Sequence, residues 1–178
     1  MAQRRKRMLI VDGYNVLRSG SRYRHITKPD YTDDSFNTAR EQLVNDVIDF
    51  AGRPYEAYIV YDGAGNAYSE GQPERIGRVK IIFSPAGMSA DKIIEKLAHE
   101  GRVRNMEVLV VTSDATIQDT VFGGGVDRMS ANGFSHEMEM LKEDTRLDEA
   151  PVVARKMTLG ERIDSDTLAK LKALRDGR

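Results

Sequence analysis

Four short, nearly unbroken apolar runs constrain this chain more than any other feature: Met8 to Val11, Tyr55 to Tyr61, Arg78 to Phe83 and Val108 to Val111. Runs of this length and character suit strands buried on both faces. A fifth, weaker run spans Arg128 to Ala131 and ends at the turn pair Asn132-Gly133. Between the runs lie segments with helical periodicity. Phe36 to Ala51 puts Phe36, Ala39, Leu43, Val47 and Ala51 on one face, with Ser35 as the expected N-cap. Asp91 to Glu100 repeats the pattern. Ala115 to Phe122 follows the fourth run and is stopped by Gly123-Gly124-Gly125. Ser135 is placed to cap a helix reaching about Leu147, and Asp164 or Ser165 a last helix over about 164–176. Strands alternating with helices predict a three-layer α/β/α fold, Rossmann-like, around a mainly parallel sheet of about five strands. Arg18 to Ser35 and Gly63 to Gly77 read as long loops, which in compact domains are usually functional or disordered.

A length of 178 residues suits one domain with a full core, so 1–178 is read as a single domain with a basic tail over 1–7. The absence of cysteine excludes disulfides and thiolate zinc sites and fits a reducing, cytoplasmic setting. No apolar run approaches a membrane span, so no membrane partner is expected. Net charge is −1, so affinity for nucleic acid would have to come from a local patch.

Three aspartates carry the chemistry. Asp12 follows Met8-Leu9-Ile10-Val11, Asp114 closes Thr112-Ser113-Asp114 after the fourth run, and Asp91 opens a helix. In an open parallel sheet, ligands bind beyond the carboxyl ends of the strands. Carboxylates delivered there repel one another unless a cation joins them, and hard cations such as Mg2+ or Mn2+ take oxygen ligands. Each aspartate also has a plainer reading: Asp12 in a turn, Asp91 at a helix dipole, Asp114 as a cap. Asn15 can reach the same crevice or serve the turn. Gln118 shares a helix face with Asp114, and Asp119 is a candidate fourth acid or a solvated helix residue. Glu95 reads as a surface acid before a helper to Asp91, and Asp62 as a turn residue before a contributor from the edge of the site. His25, His99 and His136 are widely spaced and read as surface residues. Tyr14, Arg18, Arg22 and Lys28 mix rings and cations after the first strand, as a wall for phosphates and unpaired bases would. Arg4 to Arg7 could touch a polyanion or be solvated.

Leu9-Ile10-Val11-Asp12-Gly13-Tyr14-Asn15, Ser89-Ala90-Asp91 and Val111-Thr112-Ser113-Asp114 with Gln118-Asp119 resemble the NYN branch of the PIN-like nucleases. Phe83-Ser84-Pro85, Arg128 to Phe134 and Leu159-Gly160-Glu161-Arg162-Ile163 resemble its YacP-like subgroup. The resemblance implies one α/β/α domain and metal-dependent endonucleolytic cleavage of RNA. It also implies a ribosome connection, since the subgroup includes a ribosome-dependent messenger RNA endonuclease. Carried over, Asp12, Asp91 and Asp114 would bind metal, with Asn15 and Ser113 assisting catalysis and Gln118 and Asp119 auxiliary. Two other readings stay open. One is an RNA- or ribosome-binding protein whose acids hold metal without efficient cleavage. The other is an aspartyl-nucleophile phosphatase, which would want a second acid where Tyr14 stands. A nucleotide-binding module lacks the glycine fingerprint after the first strand.

Overall fold

The computed structural model describes residues 5–27, 33–63, 73–117 and 124–149. The chain divides into two compact units, Met1–Asp144 and Thr145–Arg178. The second contributes only 145–149 to the described residues, so the helix expected over 164–176 lies outside them. The first unit begins with β1 (Arg7–Asp12), α1 (Gly13–Ser19), α2 (Ser21–Thr27), α3 (Asp33–Ala51) and β2 (Tyr55–Tyr61). It continues with β3 (Glu74–Ile76), β4 (Val79–Phe83), α4 (Ala90–Val103), β5 (Glu107–Val111), β6 (Val126–Met129) and α5 (Ala131–Glu149), whose residues up to Asp144 belong to this unit.

The described strands form one sheet in the order β3-β4-β2-β1-β5-β6, parallel except for the β3–β4 pair. Alternation along β1 builds both cores. Leu9 and Val11 face α1, α2, α3 and α5, where Leu17, Tyr23, Leu43, Val47 and Phe134 are fully buried. Met8 and Ile10 face α4, where Ile94, Leu97 and Ala98 pack with Val108 and Val110. Each fully buried aliphatic contributes about 1.5–3 kcal/mol relative to exposure. The expected three-layer α/β fold is therefore observed, with one strand more than expected. That strand, β3, is three exposed residues antiparallel at the sheet edge, too short to show a period.

The structure corrects several boundaries. The stretch read as a loop from Arg18 to Ser35 carries the end of α1, all of α2 with its buried Tyr23 and Thr27, and the start of α3. Ser35 lies inside α3 rather than capping it. β6 ends at Met129, and Asn132-Gly133 belongs to the first turn of α5. Ser130 supplies the cap instead of Ser135: its hydroxyl accepts from the Gly133 amide at 3.0 Å. Ser135 sits one turn in and donates to the Ala131 carbonyl. Asn132 Oδ1 accepts from the Ser21 amide, tying α5 to the start of α2.

The α2–α3 contact is fixed by one buried carboxylate. Asp46 is 1% exposed and accepts from Arg22 Nε at 2.7 Å, Arg22 Nη2 at 3.3 Å and the Tyr23 hydroxyl at 2.8 Å. Burial first, and then the neighbouring Asp46 charge, drives the Tyr23 phenol upward in pKa, so it stays a donor. Asp46→Asn removes the charge that this pairing needs, and it should destabilise the fold by about 1.5–3 kcal/mol, the range for hydrogen bonds to charged groups. Urea unfolding checks this; an unchanged midpoint would make the cluster incidental.

Candidate active site

The sheet order places a topological switch at β1. The chain steps outward from β1 to β2 and β4, then returns to lay β5 on the other side of β1. The crevice at the carboxyl ends of β1 and β5 is where such folds bind ligands. A cleft of about 610 Å³ lies there, lined among the described residues by Asp12, Tyr14, Asn15, Arg18, Ser19, Asp62, Ala90, Asp91 and Asp114. Four carboxylates thus share one cleft with a single cation, Arg18.

Strand register sets the positions. Val11 pairs with Val111, so Thr112 comes level with Asp12. The fully buried Thr112 hydroxyl donates to Asp12 Oδ2 at 3.0 Å and accepts from the Asp114 amide at 3.1 Å. One side chain therefore fixes both the Asp12 carboxylate and the backbone that presents Asp114. Asp114 Oδ1 accepts from the Thr116 amide at 2.8 Å, which starts the helical residues 115–117. Asn15 Oδ1 accepts from the Ser113 amide at 2.8 Å, and Ser113 Oγ accepts from the Ala131 amide at 2.9 Å. Asn15 thus lines the cleft and braces the loop after β5. Ser113, expected to assist catalysis, is instead turned to the start of α5 and does not line the cleft.

Asp91 enters from the first turn of α4, behind the Ser89 cap, whose hydroxyl accepts from Lys92 N at 3.4 Å. Asp62 follows β2. Tyr61 pairs with Phe83, which brings Ser84 beside Asp62, and Ser84 Oγ donates to Asp62 Oδ1 at 3.3 Å. Sequence reasoning favoured a turn role for Asp62 over a place at the edge of the site, where the structure puts it, and did not single out Thr112 or Ser84. The available signal was a hydroxyl residue directly after each of β5 and β4. Gly13 is required between β1 and α1, because a Cβ there would lie 2.2 Å from Tyr61 Cε1.

The field in the cleft is strongly negative. Asp12 is 8% exposed, and its carboxyl is pushed up to about 6. Burial is the main cause, and the charges of Asp91 and Asp114 add to it. The Thr112 hydroxyl opposes it, as does the Asn15 amide, which is not at capping geometry. Burial also raises Asp91, followed by Asp114, Glu95 and Asp62. The donor set is all oxygen, as hard divalent cations require. No three His, Asp or Glu side chains among the described residues stand close enough to enclose a cation as placed. Mg2+ does not need such a cage: it keeps several waters and uses one or two carboxylates together with substrate phosphates. The all-oxygen lining is therefore compatible with a partly hydrated cation that takes one or two of the expected ligands Asp12, Asp91 and Asp114 rather than being enclosed by all three.

The expected RNA wall is redrawn. Arg18 is exposed at the cleft, its guanidinium 5.5 Å from the Tyr14 ring centre and 5.7 Å from that of Phe36. Tyr14 lines the cleft but also packs at 4.9 Å against the Tyr61 ring. Arg22 is committed to Asp46 and does not line the cleft. Arg7 begins β1 and pairs with Glu107 at 2.8 Å. Lys28, Gln118 and Asp119 lie outside the described residues. The three histidines are exposed and none lines the cleft, in keeping with a surface reading.

Comparison with known proteins agrees with this architecture. The model of the YacP-like NYN domain matches residues 9–176. The chain belongs to the YacP-like NYN family. This NYN domain is 30% identical to YacP of Bacillus subtilis strain 168 over 135 residues, 76% of each chain. It superposes on the crystal structure of Rae1 (YacP) from Bacillus subtilis with a TM-score of 0.64 and 25% identity, covering 96% of this chain and 95% of the other. A single-substitution variant of Rae1 gives a TM-score of 0.65 at 25% identity, covering 94% and 99%. The NYN domain accordingly has a nuclease-type fold. No helix among its described residues is long and apolar enough to cross a membrane.

Proposed function

We propose that this NYN domain is a metal-dependent endoribonuclease of the cytoplasm that cleaves single-stranded RNA, with messenger RNA on the ribosome as its substrate. One observation carries the reading: four carboxylates converge on the switch-point cleft of a nuclease-type fold, with Asp12 buried and braced there by Thr112. Mg2+ or Mn2+ held by Asp12, Asp91 and Asp114 would supply a Lewis acid and a water of lowered pKa. The chain's own residues hold the donors in place. Thr112 holds the Asp12 carboxylate and the Asp114 backbone, Asn15 braces the loop after β5, Ser84 orients Asp62, and Arg18 meets the phosphate backbone. No side-chain nucleophile is needed. The link to the ribosome rests on the family resemblance of the motifs.

The test is cleavage of a labelled messenger RNA with and without ribosomes, in chelator and after Mg2+ or Mn2+ is restored. Metal-restored endonucleolytic products are expected, strongest with ribosomes. RNA binding without turnover in every condition would favour a binding protein, and hydrolysis of a small aryl phosphate would favour a phosphatase.

Arg18 gives a separate check on the substrate wall. Arg18→Gln should weaken RNA affinity and reduce the slope of log affinity against log salt by about 0.7, the value for one phosphate contact on a single strand. An unchanged slope would remove Arg18 from the interface.

A further inference from the structure

A second cavity, of about 480 Å³, opens beside the catalytic cleft. It lies between α3 and the β2–β4–β3 side of the sheet, and its lining includes Asn37, Arg40, Glu41, Asn45, Tyr61 and Phe83. Cavities of this size accept small organic ligands. Three observations describe what it would hold.

Tyr61 and Phe83 lie nearly parallel, with ring centres 5.2 Å apart and planes at 24°. They give the cavity an aromatic wall whose accessible surface comes from the half-buried Phe83, with Tyr61 behind it. The Tyr61 residue is 1% exposed, and its hydroxyl has no hydrogen-bond partner among the described residues. A buried, unsatisfied hydroxyl is costly, and the cost is removed when a ligand supplies the missing partner. Arg40 stands where cavity and cleft meet: its guanidinium carbon is 5.9 Å from the ring centres of both Tyr14 and Tyr61. Tyr14 lines the cleft and Tyr61 lines the cavity, and their rings touch.

The polar groups define the ligand class further. Asn37 and Asn45 offer amides that both donate and accept, Glu41 accepts, and Arg40 donates. A phosphate would not choose a cavity lined by Glu41 and Glu74, and an aliphatic group would leave the amides unmatched. A flat heterocycle with mixed donors and acceptors on its edge satisfies both the aromatic wall and the amides.

We infer that this cavity is a nucleobase subsite, taking one unpaired base of an RNA strand whose neighbouring phosphate lies at the carboxylate cleft. The inference rests on the endoribonuclease reading and adds base preference to it. The connection is short: β2 delivers Tyr61 to the cavity and the next residue, Asp62, to the cleft. Tyr61 with Arg40 would set which base is preferred.

The experiment titrates fluorescently labelled eight-nucleotide homopolymers of A, U and C by anisotropy. The protein is Asp12→Asn, so that binding is read without cleavage. Tyr61→Phe and Arg40→Gln are then added singly, and all proteins are checked by thermal melting. The Asp12→Asn protein should separate its tightest and weakest homopolymer by at least about fivefold, the worth of one good hydrogen bond. Each added substitution should compress that ratio to below about twofold. Tyr61→Phe should do so without loss of melting temperature, because it removes an unsatisfied group. A merely structural Tyr61 or Arg40 would alter melting and leave the ratio alone, and that result overturns the subsite. Should Tyr61→Phe fold poorly, Arg40→Gln on the helix surface decides alone. Wild type cleaving RNA normally while the ratio ignores both substitutions sinks the subsite and spares the nuclease reading. If wild type neither binds nor cleaves any RNA, both fall.

Discussion

Asp12→Asn should lower RNA cleavage by more than about 100-fold, since even groups that only orient metal ligands are worth about 10–100-fold. The substitution keeps the shape of the side chain and an oxygen able to accept from Thr112. It removes one of the charges that would hold a cation. RNA affinity should change little, or tighten, because a negative group facing phosphates is lost from the cleft. The measurement is single-turnover cleavage at saturating Mg2+ alongside anisotropy binding. A variant that keeps more than about a tenth of wild-type activity would show that Asp12 does not hold the cation, and the proposed chemistry would lose its centre. A parallel fall in binding and cleavage would instead point to a distorted loop, since Asp12 and Asp114 share the Thr112 hydroxyl.

The contrast between Asp12 and Ser113 shows what the sequence makes legible. Asp12 ends an apolar run, and a strand buried on both faces must deliver its next polar residue to the sheet's rim. Its place follows from periodicity alone. Ser113 lies past the end of β5, where alternation no longer governs. Its direction is set by the Ala131 amide, 18 positions away, and no local pattern encodes that contact. Arg22 was hidden for a related reason. It lies on α2, in a stretch whose many polar residues mask the buried Tyr23 and Thr27, and its partner Asp46 comes 24 positions later. Asp62 was undervalued because its neighbour Ser84 reaches it only through the β2–β4 register. The core strands, the aspartate ends and the α4 start were readable because each is a local property. The bracing hydroxyls and the Tyr61 cavity were not, because they arise where distant strands come into register.

Asp12 should also impose a pH-dependent cost on the metal-free fold. Its folded-state value of about 6 lies above the ordinary aspartate value of 3.8. Between those values the folded state binds more protons than the unfolded state, so stability falls as pH rises through the window. Below about 3.8 the cost is absent; above about 6 it is complete, on the order of 2–3 kcal/mol. Asp12→Asn cannot ionise and escapes it. In chelator at pH 8, Asp12→Asn should therefore be more stable than wild type by roughly that amount. The advantage should shrink toward zero near pH 4, as the wild-type carboxyl becomes neutral. Urea unfolding at pH 4.5, 6 and 8 checks the trend. A variant less stable than wild type at pH 8 would mean that the Thr112 hydrogen bond to a full carboxylate outweighs burial and repulsion. Adding Mg2+ at pH 8 should close most of the gap. A ligand at 100 times its dissociation constant stabilises the folded state by about 2.7 kcal/mol, and the wild type should gain most of this while the variant gains little. Equal gains in both proteins would place the cation away from Asp12, and the cleft would then be acidic for some reason other than holding metal.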